Sequence, residues 1–210
     1  MQPDLGFVHR FEPGSRPGAV PLLLLHGTGG NEDDLVSLGR RLAPEAPLLS
    51  PRGRVLENGM PRFFRRVAEG VFDLEDLRLR ARELAEFIPR ALEAYQLGDT
   101  APIAVGFSNG ANIAAALLLL WPGTLSGAAL LRPMVPLVPD PLPHLEGIPV
   151  LIASGRQDPI VPPDQPRALA DLLRSAGADV TLHGSLGGHG LTREDLDLAE
   201  RWMQSLNVHR

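Results

Sequence analysis

A serine nucleophile is suggested by the run Gly106-Phe107-Ser108-Asn109-Gly110. This G-x-S-x-G pattern lies between an apolar run that ends at Phe107 and a helix-like run that begins at Ala111. The glycines would be needed because such a serine sits on a cramped strand-to-helix turn, where larger side chains would collide with neighbouring backbone. The first amides of the following helix would then favour a developing oxyanion. The alternative is a glycine-rich turn in which Ser108 only caps the helix.

Two residues further along the chain could activate Ser108. Asp158 follows the apolar run 150–154, and His189 lies in the glycine-rich run 186–190. His189 would take the proton from Ser108 and return it to the leaving group, while Asp158 would stabilise the imidazolium. The order serine, acid, histidine is the order found in α/β-hydrolases, and each residue follows a different predicted strand. The spacing therefore predicts a catalytic triad.

Other interpretations of these two residues are more ordinary. Asp158 precedes Pro159 and could belong to a simple turn, and a loop histidine usually has no catalytic role. Asp140 and Asp164 are rival acids. Asp140 follows its strand across a proline-rich stretch, and Asp164 is better placed as a helix cap, so Asp158 is preferred.

A second oxyanion donor is expected in the run His26-Gly27-Thr28-Gly29-Gly30, which follows an apolar run ending at Leu25. The backbone amide of Thr28 would act together with that of Asn109. The alternative is a tight turn before a helix capped around Asn31. His26 is interpreted as structural, because it lies upstream of the nucleophile.

Composition sets the class of protein. The 210 residues, 44% apolar and 21% charged, predict one globular domain spanning residues 1–210. A net charge of -5 and a pI near 5.7 give no general attraction to nucleic acid or acidic lipid, so a small-molecule substrate is expected. The chain has no cysteine, which excludes disulfides, thiolate metal sites and a cysteine nucleophile. No lysine is present either, which excludes lysine-dependent chemistry. We expect no cofactor and no metal.

The amino terminus shows no secretory signal, and no apolar run is long enough to span a bilayer. We therefore predict a cytoplasmic location.

Short strand-like runs alternate with helical patterns, which predicts a mostly parallel sheet with helices on both faces. The predicted strands span residues 7–11, 20–25, 46–50, 102–107, 127–132, 150–154 and 180–183. The predicted helices span residues 33–42, 75–95, 109–120, 164–176 and 193–206. Ligands of such sheets gather at the carboxyl ends of the strands, which is where the candidate catalytic residues fall.

Residues 51–66, with Phe72 close behind, hold two phenylalanines and five arginines. One hypothesis is that Met60, Phe63 and Phe64 form a wall for the acyl or alcohol group, with an arginine near the rim favouring polar or anionic substrates. The alternative is a surface loop whose aromatic rings pack on the core. Met134, in an apolar run after a strand, could form the opposite wall. The connections are too short for a large cap, so an open pocket for small or medium esters is expected.

The chain resembles the phospholipase/carboxylesterase family of α/β-hydrolases, and within it a bacterial branch of hydrolases linked to quinone and hydroquinone resistance. The similarity is carried by residues 25–32, 52–59, 106–110, 131–134 and 188–190, and so extends over nearly the whole chain. It implies a metal-free serine carboxylic-ester hydrolase with an acyl-enzyme intermediate, and a possible homodimer. A thioesterase, a lactone hydrolase, or a binding protein that retains the fold are the alternatives. A protective role against quinone-like compounds rests on the resemblance alone.

Overall fold

A computed structural model describes residues 3–207. Its centre is a seven-stranded sheet. The seven strands are β1 (His9–Glu12), β2 (Leu22–Leu25), β3 (Leu48–Pro51), β8 (Ile103–Phe107), β9 (Gly127–Leu131), β10 (Pro149–Gly155) and β11 (Asp179–Ser185). They follow the order β1-β3-β2-β8-β9-β10-β11 across the sheet. Strand β1 pairs antiparallel with β3, and every other neighbouring pair in this sheet is parallel.

The remaining strands form two small hairpins between β3 and the next helix. The first pairs β4 (Val55–Glu57) with β5 (Met60–Arg62), and the second pairs β6 (Arg66–Ala68) with β7 (Val71–Phe72). Within the described residues these hairpins are the largest insertion beside the sheet, so that part of the chain holds no large cap domain.

Five helices cover the two faces of the sheet: α1 (Val36–Leu42), α2 (Leu74–Ala94), α3 (Asn109–Leu120), α4 (Gln165–Ser175) and α5 (Arg193–Asn207). Helices α2, α3 and α4 pack with one apolar cluster, and α1 and α5 pack with another. Strand β2 shows how the sheet serves both clusters. Leu23 and Leu25 join the first cluster and Leu22 and Leu24 the second, because successive side chains point to opposite faces. A continuous apolar run is what a strand buried on both sides requires.

The predicted architecture is confirmed. All seven predicted strands belong to the central sheet, and each lies within two residues of its predicted ends. Helix α1 starts three residues later than predicted, because the chain forms turns before it. One of these turns is closed by Asn31, whose Oδ1 accepts a hydrogen bond of 2.8 Å from the amide of Asp33. The two hairpins were not predicted.

Candidate active site

Ser108 lies on a sharp turn between β8 and α3. Its backbone has φ 52° and ψ −114°, a conformation that side-chain-bearing residues rarely adopt. A Cβ at Gly106 would lie 2.5 Å from the carbonyl oxygen of Gly110, and one at Gly110 would lie 1.9 Å from that of Leu25. The predicted reason for the two glycines is therefore confirmed: any side chain there would collide with backbone. The amide of Ser108 donates to Leu131 O at 2.8 Å, which fixes the turn to β9.

The structure brings Ser108, His189 and Asp158 into one line of hydrogen bonds. Nε2 of His189 lies 2.9 Å from Ser108 Oγ, and Nδ1 lies 2.8 Å from Asp158 Oδ2. The three residues follow β8, β11 and β10, whose carboxyl ends meet at the same edge of the sheet. The imidazole side chain is 20% exposed and the carboxylate 1% exposed. This geometry suits a hydroxyl that gives its proton to Nε2 while the carboxylate holds Nδ1–H.

Asp158 is held in its charged form by its surroundings. Burial is the largest single influence and would raise the pKa of its carboxyl group. Hydrogen bonds from the amide of Ile160 at 2.8 Å, from His189 and from the amide of Val161 at 3.1 Å outweigh burial, so the pKa lies below its ordinary value. Asp140 and Asp164 make no hydrogen bond to His189. Asp164 does precede α4 as its N-cap residue, although its side chain makes no capping bond.

The residues Thr28 and Asn109 lie beside Ser108 at the cavity. Thr28 and Asn109 both line the cavity that contains Ser108 and His189. Within residues 3–207, no hydrogen bond uses the amide of either residue. Asn109 is also the first residue of α3, where backbone amides lack helical partners. Both amides are therefore available to a substrate oxygen.

His26 has structural partners. Its Nδ1 donates to Gly27 O at 2.6 Å and its Nε2 accepts from the amide of Gly53 at 2.9 Å. Desolvation by burial lowers the pKa of His26, which favours the neutral ring that these two bonds require. His26 thus joins the turn that bears Thr28 to the segment after β3.

The cavity at Ser108 has a volume of about 300 Å³. One part of its wall is apolar and the other carries side-chain donors, acceptors and charges. The apolar part consists of Phe72, Phe107, Met134 and Ile160, and the polar part includes Thr28, Arg62, Arg66, Glu69, Asn109 and Asn112. The cavity volume is at the small end of the range for ligand sites.

The expectation for Phe63 and Phe64 needs correction. Their side chains are 3% and 0% exposed and pack in the larger core cluster, so they do not line the cavity. Met60 is 41% exposed beside Gly29 and is likewise not part of the cavity wall. Met134 lines the cavity, and Phe72 supplies an aromatic wall. The rings of Phe63 and Phe64 pack inward because burying a large apolar side chain is more favourable in free energy than leaving it exposed in a loop.

Two arginines of the hairpins were not singled out from the sequence. Arg62 is only 4% exposed, and its Nη1 donates to Thr28 Oγ1 at 2.7 Å. Arg66 binds Glu57 at 2.6 Å, and Nε of Arg62 lies 3.4 Å from the same carboxylate. The hydrogen bond from Arg66 lowers the pKa of Glu57, which keeps it anionic. The carboxylate of Glu57 thus balances part of the positive charge of Arg62 and Arg66. The two arginines are placed by strand pairing, which no local sequence pattern reveals.

Two asparagines of α3 join the turn at Ser108 to the segments that form the cavity walls. Asn109 Oδ1 accepts a bond of 2.7 Å from the amide of Phe63, and Asn112 Oδ1 accepts one of 2.8 Å from the amide of Met134. The two positions are three residues apart and share one face of the helix. Asn109 was predicted to act through its backbone amide alone, and the role of its side chain was missed.

Among residues 3–207, no group of three or more histidine or acidic side chains could hold a metal ion. In the same part of the chain, no helix has the length and apolar character needed to cross a membrane.

The parallel sheet, the serine turn at the end of β8 and the positions of the three side chains define an α/β-hydrolase. No protein-family model matches the chain. The chain is 50% identical over 200 residues to MhqD of Bacillus subtilis (strain 168), a protein named as a hydrolase, and the match covers 95% of this chain and 99% of that protein.

Solved structures of similar proteins agree with this assignment to the α/β-hydrolases. A Bacillus cereus carboxylesterase superposes with a TM-score of 0.93 and 47% identity, covering 95% of this chain and 94% of that one. A carboxylesterase from Mesorhizobium loti gives a TM-score of 0.88 and 34% identity, covering 96% of each chain. The chain therefore belongs to the phospholipase/carboxylesterase family of α/β-hydrolases and is a carboxylesterase-type hydrolase.

Proposed function

We propose that the chain hydrolyses small or medium carboxylic esters through a triad of Ser108, His189 and Asp158 and an acyl-enzyme intermediate. The observation that carries this proposal is the continuous line of hydrogen bonds from Ser108 Oγ through His189 to Asp158. Beside it lie the backbone amides of Thr28 and Asn109, which make no hydrogen bond within the described residues.

In the first half-reaction, Ser108 Oγ attacks the ester carbonyl carbon as its proton moves to Nε2 of His189. The carbonyl oxygen becomes an oxyanion that accepts hydrogen bonds from the amides of Thr28 and Asn109. Asp158 stabilises the imidazolium through Nδ1–H. The oxyanion then collapses, the bond to the alcohol oxygen breaks, and His189 gives its proton to that oxygen. The alcohol leaves and Ser108 carries the acyl group.

In the second half-reaction, His189 takes a proton from water, and the water oxygen attacks the acyl carbon at the place the alcohol left. Collapse of the second oxyanion releases the carboxylic acid and returns the proton to Ser108 Oγ. The same two amides serve both oxyanions. No group beyond these side chains, the amides and water takes part.

The cavity supports a particular class of ester. Its volume of about 300 Å³ accommodates a small or medium substrate. Phe72, Met134 and Ile160 offer apolar contact to the acyl or alcohol group. Glu57 is bonded to Arg66 and close to Arg62, and Glu69 lies in the wall itself, so the positive charge near the rim is largely balanced. We therefore favour neutral, polar esters over anionic ones.

The test is labelling by a fluorophosphonate probe combined with ester turnover. The wild-type protein should be labelled and should hydrolyse p-nitrophenyl acetate. Ser108→Ala should lose the label and about 10⁴-fold or more of kcat while its Tm stays close to wild type. Ser126→Ala, at a serine remote from the triad, is the matched control and should keep both properties. Turnover that persists in Ser108→Ala would remove Ser108 from the mechanism.

A panel of substrates then identifies the class of acyl compound that the protein hydrolyses. p-Nitrophenyl esters of graded chain length should be compared with thioesters and lactones, and we expect kcat/KM to be greatest for short-chain esters. A clear preference for thioesters or lactones would leave the triad intact but replace the substrate class.

The remaining expectations concern the state of the protein. A single domain over residues 1–210, a homodimer and a cytoplasmic location stay predictions. A single cooperative unfolding transition, sedimentation equilibrium and cell fractionation would check them in turn.

A further inference from the structure

Arg132 is a buried arginine that the mechanism above does not use. It is the first residue after β9, it has a φ of 59°, and it is 1% exposed. Its neighbour Leu131 accepts the hydrogen bond from the amide of Ser108. Arg132 thus stands at the corner of the sheet that also holds the nucleophile turn.

The guanidinium group uses all five of its N–H donors. Nε donates to Gly188 O at 2.9 Å and Nη2 donates to Gly190 O at 3.1 Å. Nη1 donates to Ala153 O at 3.2 Å, and Nη1 and Nη2 reach the two carboxylate oxygens of Asp195 at 3.2 and 2.6 Å. Only a planar fork with five donors can satisfy four acceptor groups on three segments at once.

Asp195 supplies the opposite charge. Its side chain is 0% exposed, and its Oδ2 also accepts from the amide and the hydroxyl of Thr192, each at 2.8 Å. Burial would raise the pKa of Asp195, but the bonds from Arg132 and Thr192 outweigh burial and lower it. The carboxylate is therefore ionised, and the buried pair is neutral as a whole.

The position of the pair gives it a use. A buried ion pair is weak support for stability, because apolar residues of similar volume often serve as well. Two of the three carbonyls that Arg132 binds belong to Gly188 and Gly190, the residues on either side of His189. The loop is rich in glycine, at positions 187, 188 and 190, and glycine leaves backbone with more conformational freedom. Something outside the loop must therefore hold His189 at 2.9 Å from Ser108 Oγ.

We propose that Arg132, with Asp195 as its counter-charge, is a positioning residue that holds the backbone on both sides of His189 and so aims Nε2 at Ser108 and at the leaving group. This inference rests on the proposed function. It concerns residues that no step of that mechanism touches.

Leaving-group dependence separates positioning from a merely structural role. An alkyl ester needs His189 to protonate its alcohol as the bond breaks, whereas p-nitrophenolate leaves with little help. A misaimed imidazole should therefore harm alkyl esters more. A variant that is only partly folded loses the same factor on both substrates. Because kcat/KM reports the acylation step, it is the quantity to compare for ethyl acetate and p-nitrophenyl acetate.

The main variant is Arg132→Lys, which keeps the charge but cannot bind both carbonyls and Asp195 together. We expect kcat/KM to fall about 100-fold for ethyl acetate and about 10-fold for p-nitrophenyl acetate, part of the full effect of a general acid and base. Arg41→Met is the matched control. Arg41 binds Asp197 and Glu200 of α5, so its loss disturbs the same helix without touching the histidine loop. Both substrates should change less than about 2-fold in that control.

Equal losses on the two esters in folded Arg132→Lys, or no loss at all, would overturn the proposal. If Arg132→Lys does not fold, Asp195→Asn carries the test, because it keeps the shape of the side chain and its bonds to Thr192. In Asp195→Asn, kcat/KM should again fall more for ethyl acetate than for p-nitrophenyl acetate, but by a smaller factor. Equal losses on the two esters in that variant would equally count against positioning.

A second measurement does not depend on ester turnover. The proton between His189 Nδ1 and Asp158 should give a low-field NMR signal, assigned by its loss in His189→Gln. We expect this signal to weaken or broaden in Arg132→Lys and to persist in Arg41→Met. An unchanged signal would contradict positioning. Should the wild-type protein hydrolyse no ester, the signal still tests Arg132 while the proposed function fails by itself.

Discussion

Phe63 donates its backbone amide to the side-chain oxygen of Asn109 across 2.7 Å. The residue directly after Ser108 therefore holds the start of the segment that forms one cavity wall. Because the bond uses backbone, the ring of Phe63 remains free to turn into the core, where it packs against His26 with ring centroids 4.8 Å apart. The rings of Phe63 and Phe64 pack in the core, and Phe72 is the aromatic residue of this segment that lines the cavity.

The first prediction separates these two roles. Phe64→Ala removes a ring that is 0% exposed and should lower the free energy of unfolding by about 3–5 kcal/mol, while the preference for ester chain length stays as in wild type. Phe72→Ala removes a partly buried ring from the cavity wall, so it should cost less stability and shift the preference toward longer acyl chains. Denaturant unfolding and a panel of p-nitrophenyl esters measure both effects. A changed chain-length profile in folded Phe64→Ala would restore Phe64 to the substrate wall.

Asp158 provides a second prediction. Asp158→Asn keeps the shape of the side chain but removes the charge that faces Nδ1 of His189, so kcat should fall about 10³- to 10⁴-fold. The change should leave KM much less affected, because Asp158 contacts the imidazole and not the cavity. Asp164→Asn, at the rival acid, is the control and should retain wild-type kcat. A reversal of these two results would move the acid to Asp164.

The sheet could be predicted, and so could the places of the three candidate catalytic residues after strand ends, because both depend on local patterns. Apolar runs such as Leu22–Leu25 mark buried strands, and glycine-rich turns mark the strand ends where Ser108 and His189 lie. The hairpins could not be predicted, because strands of two or three residues such as β6 and β7 are too short to show a hydrophobic periodicity.

The rest of the site could not be predicted because its contacts join residues that are far apart in the sequence. The partners Arg132 and Asp195 are 63 residues apart, and an arginine at the end of an apolar run resembles an exposed strand end. The inward direction of Phe63 and Phe64 is equally invisible, since composition does not state which face of a loop packs on the core.

A third prediction concerns the bond from Arg62 to Thr28 Oγ1, which fixes the side chain of the residue whose amide is proposed to bind the oxyanion. Thr28→Val keeps the shape but leaves a donor of Arg62 unpaired where it is 4% exposed. We expect kcat to fall about 10-fold as the turn shifts, with a loss of about 1–3 kcal/mol in stability. Thr28→Ser retains the hydroxyl and should keep most of both. Wild-type kcat in Thr28→Val would show that the turn holds its amide without Arg62.

The last prediction follows from the charge of Asp195. Its pKa is lowered in the folded protein, and burial, the largest influence, is outweighed by bonds from Arg132 and Thr192. The pKa of an aspartate in an unfolded chain is about 3.9. A carboxyl group whose pKa is lower when folded stabilises the protein above that value, and the contribution is lost as pH falls through the folded pKa. Asp195→Asn should therefore be less stable than wild type near neutral pH, by up to about 3 kcal/mol, and the gap should narrow as pH falls below about 4.

Urea unfolding at a series of pH values measures this gap. Asp171→Asn is the control, because Asp171 pairs with Arg174 at the surface, where its side chain is 65% exposed. A surface pair of that kind contributes about 1 kcal/mol or less, so the control should stay within about 1 kcal/mol of wild type at every pH. Curves for Asp195→Asn and wild type that run parallel down to acid pH would mean that folding does not lower the pKa of Asp195. A gap that widens as pH falls would mean that the folded carboxyl group is uncharged, and Arg132 would then lack its counter-charge beside His189.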